Sequence, residues 1–509
     1  MTPFTVDPHL IPWFIAGIAA WMALVIGVGY FGSRGRHDGE KFVTGGRDMN
    51  VFLIFCTLGA TIIGTGSTIG AISDGFSHAW GGALFGTGSA IGLLLLSTFA
   101  GAREKGFITM SEEAQYYYGG KRIVRQIMGF TMFAAEVIWL GNHIIGGATY
   151  LSFVFGIDPI WCKLITAVAF GAYVFIGGYV AVVKADVLQF CAIVLGFALI
   201  AWKAIPLAGG YGEIGRVFTA AGKPGAMGFY GLGSYGVMAG LSLVVAMVMS
   251  VLGCPGNRTR IYTAQNVRTA RFAFLGQGAL MFGWSIITAI IGMSCFAIAT
   301  HNGHQLANAN QAFPYMATQV MAPAFGLMFL ICGLSAAVSS GGSSSISGIT
   351  VLLTDVYPSL TGRRIPPEKY TLVSRLTLLL ALAVAFSITV FVTDMIAYIQ
   401  KAVGAFLPGA AVAMLAGRFW KRATWQGALA SVGAGSALGI AIVAVPPFAK
   451  WVGTTFGGPA IPAVTVSIAG VILGSLLSPR DTTPEADRVA AVLAARGSRE
   501  TGNFSLLNT

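Results

Sequence analysis

The stretch "GATIIGTGSTIGAISDG", Gly59–Gly75, places glycine, threonine and serine on every face of a helix inside an apolar run. A helix meant only to pack keeps its small residues on one stripe. Glycine costs a helix about 1 kcal/mol relative to alanine, and hydroxyls offer the backbone other partners. The pattern therefore predicts a helix that unwinds midway and turns its carbonyls toward a cavity. Within a bilayer such irregular backbone is tolerated only where it lines a site.

The surroundings make the bilayer the expected solvent. The chain has 509 residues, 55% hydrophobic and 10% charged, with a mean hydropathy of +0.75. A soluble protein of this size carries about a quarter charged residues. The apolar residues come in runs of about 20 or more, each able to cross a hydrocarbon layer of about 30 Å as a helix. We read an all-α polytopic membrane protein of about thirteen transmembrane helices. They lie near 11–31, 51–75, 79–100, 125–153, 158–182, 185–206, 228–253, 271–300, 323–353, 370–393, 395–418, 423–446 and 458–478.

Basic residues set the orientation. With the N-terminus outside, 25 of the 31 Lys and Arg fall in the inner loops and tail, and only 5 fall outside. That bias places the C-terminus in the cytoplasm and the chain in a cytoplasmic (inner) membrane. The formal charge of +12 serves orientation and headgroup contact rather than nucleic acid. The six cysteines are scattered without metal spacing and read as small apolar packing residues. No cleavable leader is expected. The tail after Pro479 holds 30 residues, too few for a catalytic module, so no enzyme activity and no obligatory protein partner are expected.

A second stretch, "SAAVSSGGSSSISG" (Ser335–Gly348), has seven serines in fourteen residues and lies within a charge-free span from Gln305 to Thr354. Ala336, Ser339 and Ser340 stand at i, i+3 and i+4 on one helical face. A carbonyl and two hydroxyls there make half of an oxygen shell suited to a small hard cation. The unwound Gly59–Gly66 segment offers the other half. Serines bonding back to their own helix, and so only packing it, are the competing reading.

With these stretches on the page, the chain resembles the sodium/solute symporter family, which includes bacterial carriers of proline, galactose and sialic acid. Five motifs in order carry the resemblance from about Phe42 to Trp420: "GGRDM", "GATIIGTGSTIG", "FIGGYVAVVKADVLQ", "SAAVSSGGSSSISGITVLLTDVYP" and "YIQKAVGAFLPG". It implies a LeuT-like core of two inverted five-helix repeats, 51–206 and 228–418. Residues 1–50 would form an extra helix and inner loop, 207–227 an outer loop, 419–478 two further helices and 479–509 the tail. It implies sodium ligation by the carbonyls of Ala60, Ile63 and Ala336 and the hydroxyls of Ser339 and Ser340. Asp186 and Ser343 would lie on the sodium exit path or at a second sodium site. Gly342 lacks the hydroxyl that such a second site uses, which favours one sodium per cycle.

The expected function is import of a small organic solute with sodium by alternating access. A transporter-like sensor and a proton-coupled or uncoupled carrier are the alternatives. Candidate solute residues are Thr65, Ser67, Glu136, Trp139, Asn142 and Gln400, whereas His143 reads as structural or interfacial. Glu136 stands out because intramembrane carboxylates default to function. In "GCPGNRTR" (Gly253–Arg260), Cys254, Pro255 and Gly256 replace the hydrogen-bonding groups of sugar carriers. That leaves amino acids, carboxylates or similar metabolites.

Overall fold

A computed structural model describes residues 6–33, 47–363, 365–392 and 395–496; the side chains of residue 367 and of most of 395–406 lie outside the description. Among the described residues the fold is helical, with one isolated parallel bridge, Met49 to Ala264, in place of any sheet. The helices are α1 (Ile11–Ser33), α2 (Val51–Ile62), α3 (Ala71–His78), α4 (Leu84–Leu96), α5 (Met110–Tyr117) and α6 (Arg122–Phe155). They continue with α7 (Pro159–Leu207), α8 (Tyr211–Ala220), α9 (Val237–Gly253), α10 (Pro255–Thr263), α11 (Val267–His301) and α12 (Pro323–Val351). The last are α13 (Pro367–Thr389), α14 (Met395–Phe419), α15 (Trp425–Ala444), α16 (Pro446–Phe456), α17 (Ala460–Leu476) and α18 (Glu485–Arg496).

Eight helical runs among the described residues are long and apolar enough to cross a bilayer, or ten when two bent pairs each count as one span. Among the described residues each of the thirteen expected stretches overlaps helix, but several boundaries differ. α7 runs 49 residues through two expected spans. At 1.5 Å per residue it is more than twice the thickness of the layer. Its break is at Gly178 (φ 60, ψ −152), before the expected boundary between 182 and 185. Only glycine takes that backbone without strain.

The expected span from 228 starts late. Positive φ at Tyr230, Gly231 and Gly236 keeps "GFYGLGSYG" in short turns, and α9 begins at Val237. Beyond Gly253 the chain stays helical as α10 after a 44° bend. Pro255 at its start cannot donate into the preceding turn, which fixes the bend.

α10 corrects a second expectation. Arg258 and Arg260, counted among the loop cations, are 0% and 1% exposed. A buried cation is costly unless paired, and both are paired. Arg258 Nη1 donates to both Glu113 carboxylate oxygens at 2.9 Å, and its guanidinium lies 3.9 Å over the Phe99 ring. Tyr262 (2.5 Å) and Tyr117 (2.7 Å) donate to the same carboxylate.

Next to it, Arg125 of α6 bonds Asp355 (2.7 Å) and Glu112 (3.0 Å), again buried. α5, carrying Glu112 and Glu113, thus clasps α6, α10 and the π-helical turn after α12 (Leu352–Val356) at the end where the basic loops gather. α18 docks on α5 through Tyr116 to Glu485 at 3.0 Å, beside the Lys105–Glu485 pair, and buries Val492. Arg103 ties the loop before α2 to the end of α10 by donating to Arg47 O (3.2 Å) and Ala264 O.

Candidate functional site

α2 begins on Asn50, whose side chain accepts the Leu53 N–H at 2.9 Å. It ends where Ile63 leaves helical geometry (φ −81, ψ 66). The chain re-enters helix as a π-turn (Gly66–Gly70) and then α3. The unwinding expected from Gly59–Gly75 is present, and it lies against α12 at the serine-rich face.

Ser339 Oγ is 2.9 Å from Ala60 O and 3.4 Å from Ala336 O. Ser340 Oγ is 3.1 Å from Ala60 O and 3.0 Å from Thr61 O. The two expected hydroxyls therefore converge on the Ala60 carbonyl, and the Ala336 carbonyl lies within reach of Ser339, all four residues buried. Ile63, equally buried, is the first residue past the last helical turn. Every oxygen in this shell is neutral. In a low-dielectric site a neutral shell suits one positive charge and leaves a divalent ion undercompensated.

The other serines of the stretch divide by task. Ser345 bonds back to Gly341 O (2.8 Å), as the packing reading expects. Ser335 accepts the Trp21 indole N–H (2.8 Å) and so anchors α1. Ser343 faces Thr61, with the two hydroxyl oxygens 2.9 Å apart.

Gly64 makes the approach possible: a Cβ there would lie 2.7 Å from Ser340 Oγ and 2.8 Å from the His143 ring. Gly64→Ala is expected to push α12 from the break and lower apparent sodium affinity at least tenfold. Its melting profile as a function of sodium checks this; unchanged affinity would show that the contact is not needed.

Thr65, just past the break, gathers the candidate solute residues. Its Oγ1 accepts from Asn142 Nδ2 at 3.0 Å and sits 3.2 Å from His143 Nδ1. Trp139 stacks on His143, with ring centroids 6.1 Å apart and planes at 20°. Asn142 Oδ1 and Trp139 Nε1 are buried without a hydrogen-bonding partner among the described residues. An orphaned acceptor and an orphaned donor three residues apart on one helix are unusual in a finished interior.

Two candidates lie apart from that cluster. Ser67 spends its hydroxyl on Gly64 O (3.1 Å) and Ile62 O (3.3 Å), and its carbonyl accepts the Trp284 N–H (2.9 Å). Glu136 Oε1 accepts the Gly256 N–H at 2.9 Å at the bend between α9 and α10, which makes it a cap of α10. The side chain of Gln400 lies outside the described residues.

Asp186 is fully buried, accepts from Thr57 Oγ1 at 2.6 Å and lies 3.9 Å from Arg260 Nη2. The sequence reading missed Thr57, Thr61 and Arg260. The signal for Thr57 and Thr61 was the four-residue spacing of hydroxyls on α2; Arg260 gave none beyond its nearness to an apolar span.

The geometry and the comparisons agree on the class. The Sodium:solute symporter family matches residues 42–435, and the chain belongs to that family. It is a sodium-coupled symporter of a multi-pass membrane fold. The chain is 24% identical to the sodium/pantothenate symporter of Haemophilus influenzae over 452 residues, covering 83% of this chain and 89% of that one. It is likewise 24% identical to the sodium/glucose cotransporter of Vibrio parahaemolyticus, covering 85% and 83%.

Among solved structures, a substrate-bound, outward-open Na+-coupled sialic acid symporter superposes with a TM-score of 0.75 at 16% identity, covering 92% of this chain and 99% of that one. A nucleobase-cation-symport-1 family transporter superposes with a TM-score of 0.57 at 12% identity, covering 90% and 99%. These likenesses establish the LeuT-like fold.

Proposed function

We propose that the cargo ion is sodium, held by Ala60, Ile63 and Ala336 carbonyls with the Ser339 and Ser340 hydroxyls, and that it drives import of a small organic solute bound beside Thr65, Trp139, Asn142 and His143. The observation that carries this reading is the convergence of neutral oxygens from α12 on the break after α2. A cation entering there replaces the Ser339 and Ser340 hydrogen bonds to α2 with ligation. It thereby ties α12 to α2 and α3, and the Thr65 cluster begins two residues beyond Ile63. Solute affinity and sodium affinity then rise together, by a coupling of about 1–3 kcal/mol in each direction.

The lining favours a compact polar solute such as an amino acid, a carboxylate or a similar metabolite. The resemblance to sugar carriers fails at Cys254, Pro255 and Gly256, and the pantothenate relative makes pantothenate the first carboxylate to try. An outer cavity of about 480 Å³, bounded by Ile145, Thr149, Lys163 and Gln311, lies a turn beyond His143 on α6 and suits an entry path. Residues 51–206 and 228–418 form the two repeats, with thirteen crossings in all. The N-terminus faces outward and the C-terminus the cytoplasm across the inner membrane. The protein works without covalent chemistry and without an obligatory protein partner.

A thermal-shift panel of amino acids, small carboxylates including pantothenate, and amines, run in sodium and in potassium, tests the proposal. A solute that raises the melting temperature in sodium alone is the expected result. A solute that protects equally in both salts would remove the coupling.

A further inference from the structure

Directly beside the ion site lies a second polar chamber that already contains a cation. Arg260 Nη2 donates to Ser343 Oγ and to Thr61 Oγ1, each at 2.7 Å, and to Thr57 Oγ1 at 3.2 Å. Its Nη1 donates to Gly256 O at 2.7 Å, which fixes the guanidinium relative to its own helix. The same Nη2 stands 3.9 Å from Asp186 Oδ2. Three hydroxyls and a carboxylate are a cation's coordination set, and here one side-chain nitrogen takes all of them.

The far side of the chamber is filled as well. A Cβ on Gly342 would lie 1.8 Å from the Tyr173 hydroxyl, so no side chain, and hence no third α12 hydroxyl, fits next to Ser343. Tyr173 Oη instead reaches Val338 O at 3.4 Å. Yet the chamber is not fully satisfied. Asp186 Oδ1, Arg260 Nε and both amide atoms of Gln189, one turn along α7, are buried without partners among the described residues. Orphaned groups of both signs in one buried cluster call for a partner.

We propose that Arg260 is a tethered counter-cation that holds the place of a second sodium ion, so that the protein binds one sodium per cycle. The guanidinium neutralises Asp186 and occupies Ser343 and Thr61 while the ion sits one turn away at Ser339 and Ser340. Arg260 vacates the chamber only by moving with α10. An ion leaving past Asp186 must therefore wait for α10 to swing, which makes Arg260 a positioning residue that links ion release to helix movement. Thr61 joins the two chambers, since its carbonyl accepts from Ser340 and its hydroxyl from Arg260.

The proposal rests on the sodium site proposed above, and equilibrium binding of 22Na+ to the purified full chain separates the two. The wild type should bind one sodium per chain, and Ser339→Ala with Ser340→Ala should bind none. Arg260→Ala, which frees Asp186, Thr57, Thr61 and Ser343, should bind two, and adding Asp186→Asn should return it to one. Arg260→Lys, which keeps the charge, should stay at one and serves as the folding control. Two ions on the wild type, or one on a folded Arg260→Ala protein, would overturn the role of Arg260 while leaving the sodium site intact. Sodium binding that survives the double serine variant would instead overturn the site itself.

Discussion

Sodium should cease to protect the protein once Ser339 and Ser340 are both alanine. In the wild type a ligand at 100 times its dissociation constant stabilises the state that binds it by about 2.7 kcal/mol. In the double variant the Ala336 and Ala60 carbonyls remain, but the two oxygens linking α12 to the break are gone. The variant also leaves Ala60 O and Thr61 O without their donors, at about 1–3 kcal/mol for each buried group. Its melting temperature should therefore fall in any salt. The informative quantity is the difference between sodium and potassium at equal ionic strength, which should vanish. A difference of wild-type size would place the ion elsewhere.

The second large effect is expected at Glu113. Its carboxylate holds Arg258 through two bonds and receives two tyrosine hydroxyls, all buried. Glu113→Gln strands the Arg258 charge, and removing one partner of a buried pair costs about 3–5 kcal/mol. α5 and α10 meet through this pair at the basic-loop end, so the penalty falls on the state in which that end is closed. A cost near 3 kcal/mol would carry a 1:99 open-to-closed ratio to roughly even. Hydrogen exchange along α5 and α10 should accelerate by two orders of magnitude, with α15 and α17 unaffected. Uniform protection in the variant would show that the pair does not hold the end shut.

Much of this site was legible in the sequence because its logic is local. Ala336, Ser339 and Ser340 share a face by helical spacing alone, and the mixture of glycine and hydroxyls in Gly59–Gly75 marked a helix that does not stay wound. Packing was harder to read. Arg258 and Arg260 looked like loop cations because charge near the end of an apolar run ordinarily snorkels to water. Their partners Glu113, Thr61 and Ser343 are 83 to 199 residues away, and no periodicity encodes such pairings.

Glu136 gained a structural partner that its sequence position did not announce, while its Oε2 stays buried without a partner among the described residues. An acid within an apolar helix suggests a ligand, but its bond to the Gly256 N–H gives it the α10 N-terminus as partner. The break in α7 followed backbone sterics at Gly178 rather than the expected boundary between 182 and 185. Local chemistry thus picked out the face on which the proposed ion site stands, and only the three-dimensional packing brought Arg260 up behind it.

Sodium coupling itself is tested most directly by solute accumulation in proteoliposomes, using the solute that the thermal-shift panel selects. An inward sodium gradient should concentrate it above equilibrium, and an equal potassium gradient should not. The Ser339→Ala, Ser340→Ala protein should be inactive in both. Accumulation driven by a pH gradient without sodium, or equal uptake in the two salts, would contradict a sodium symporter built on this site.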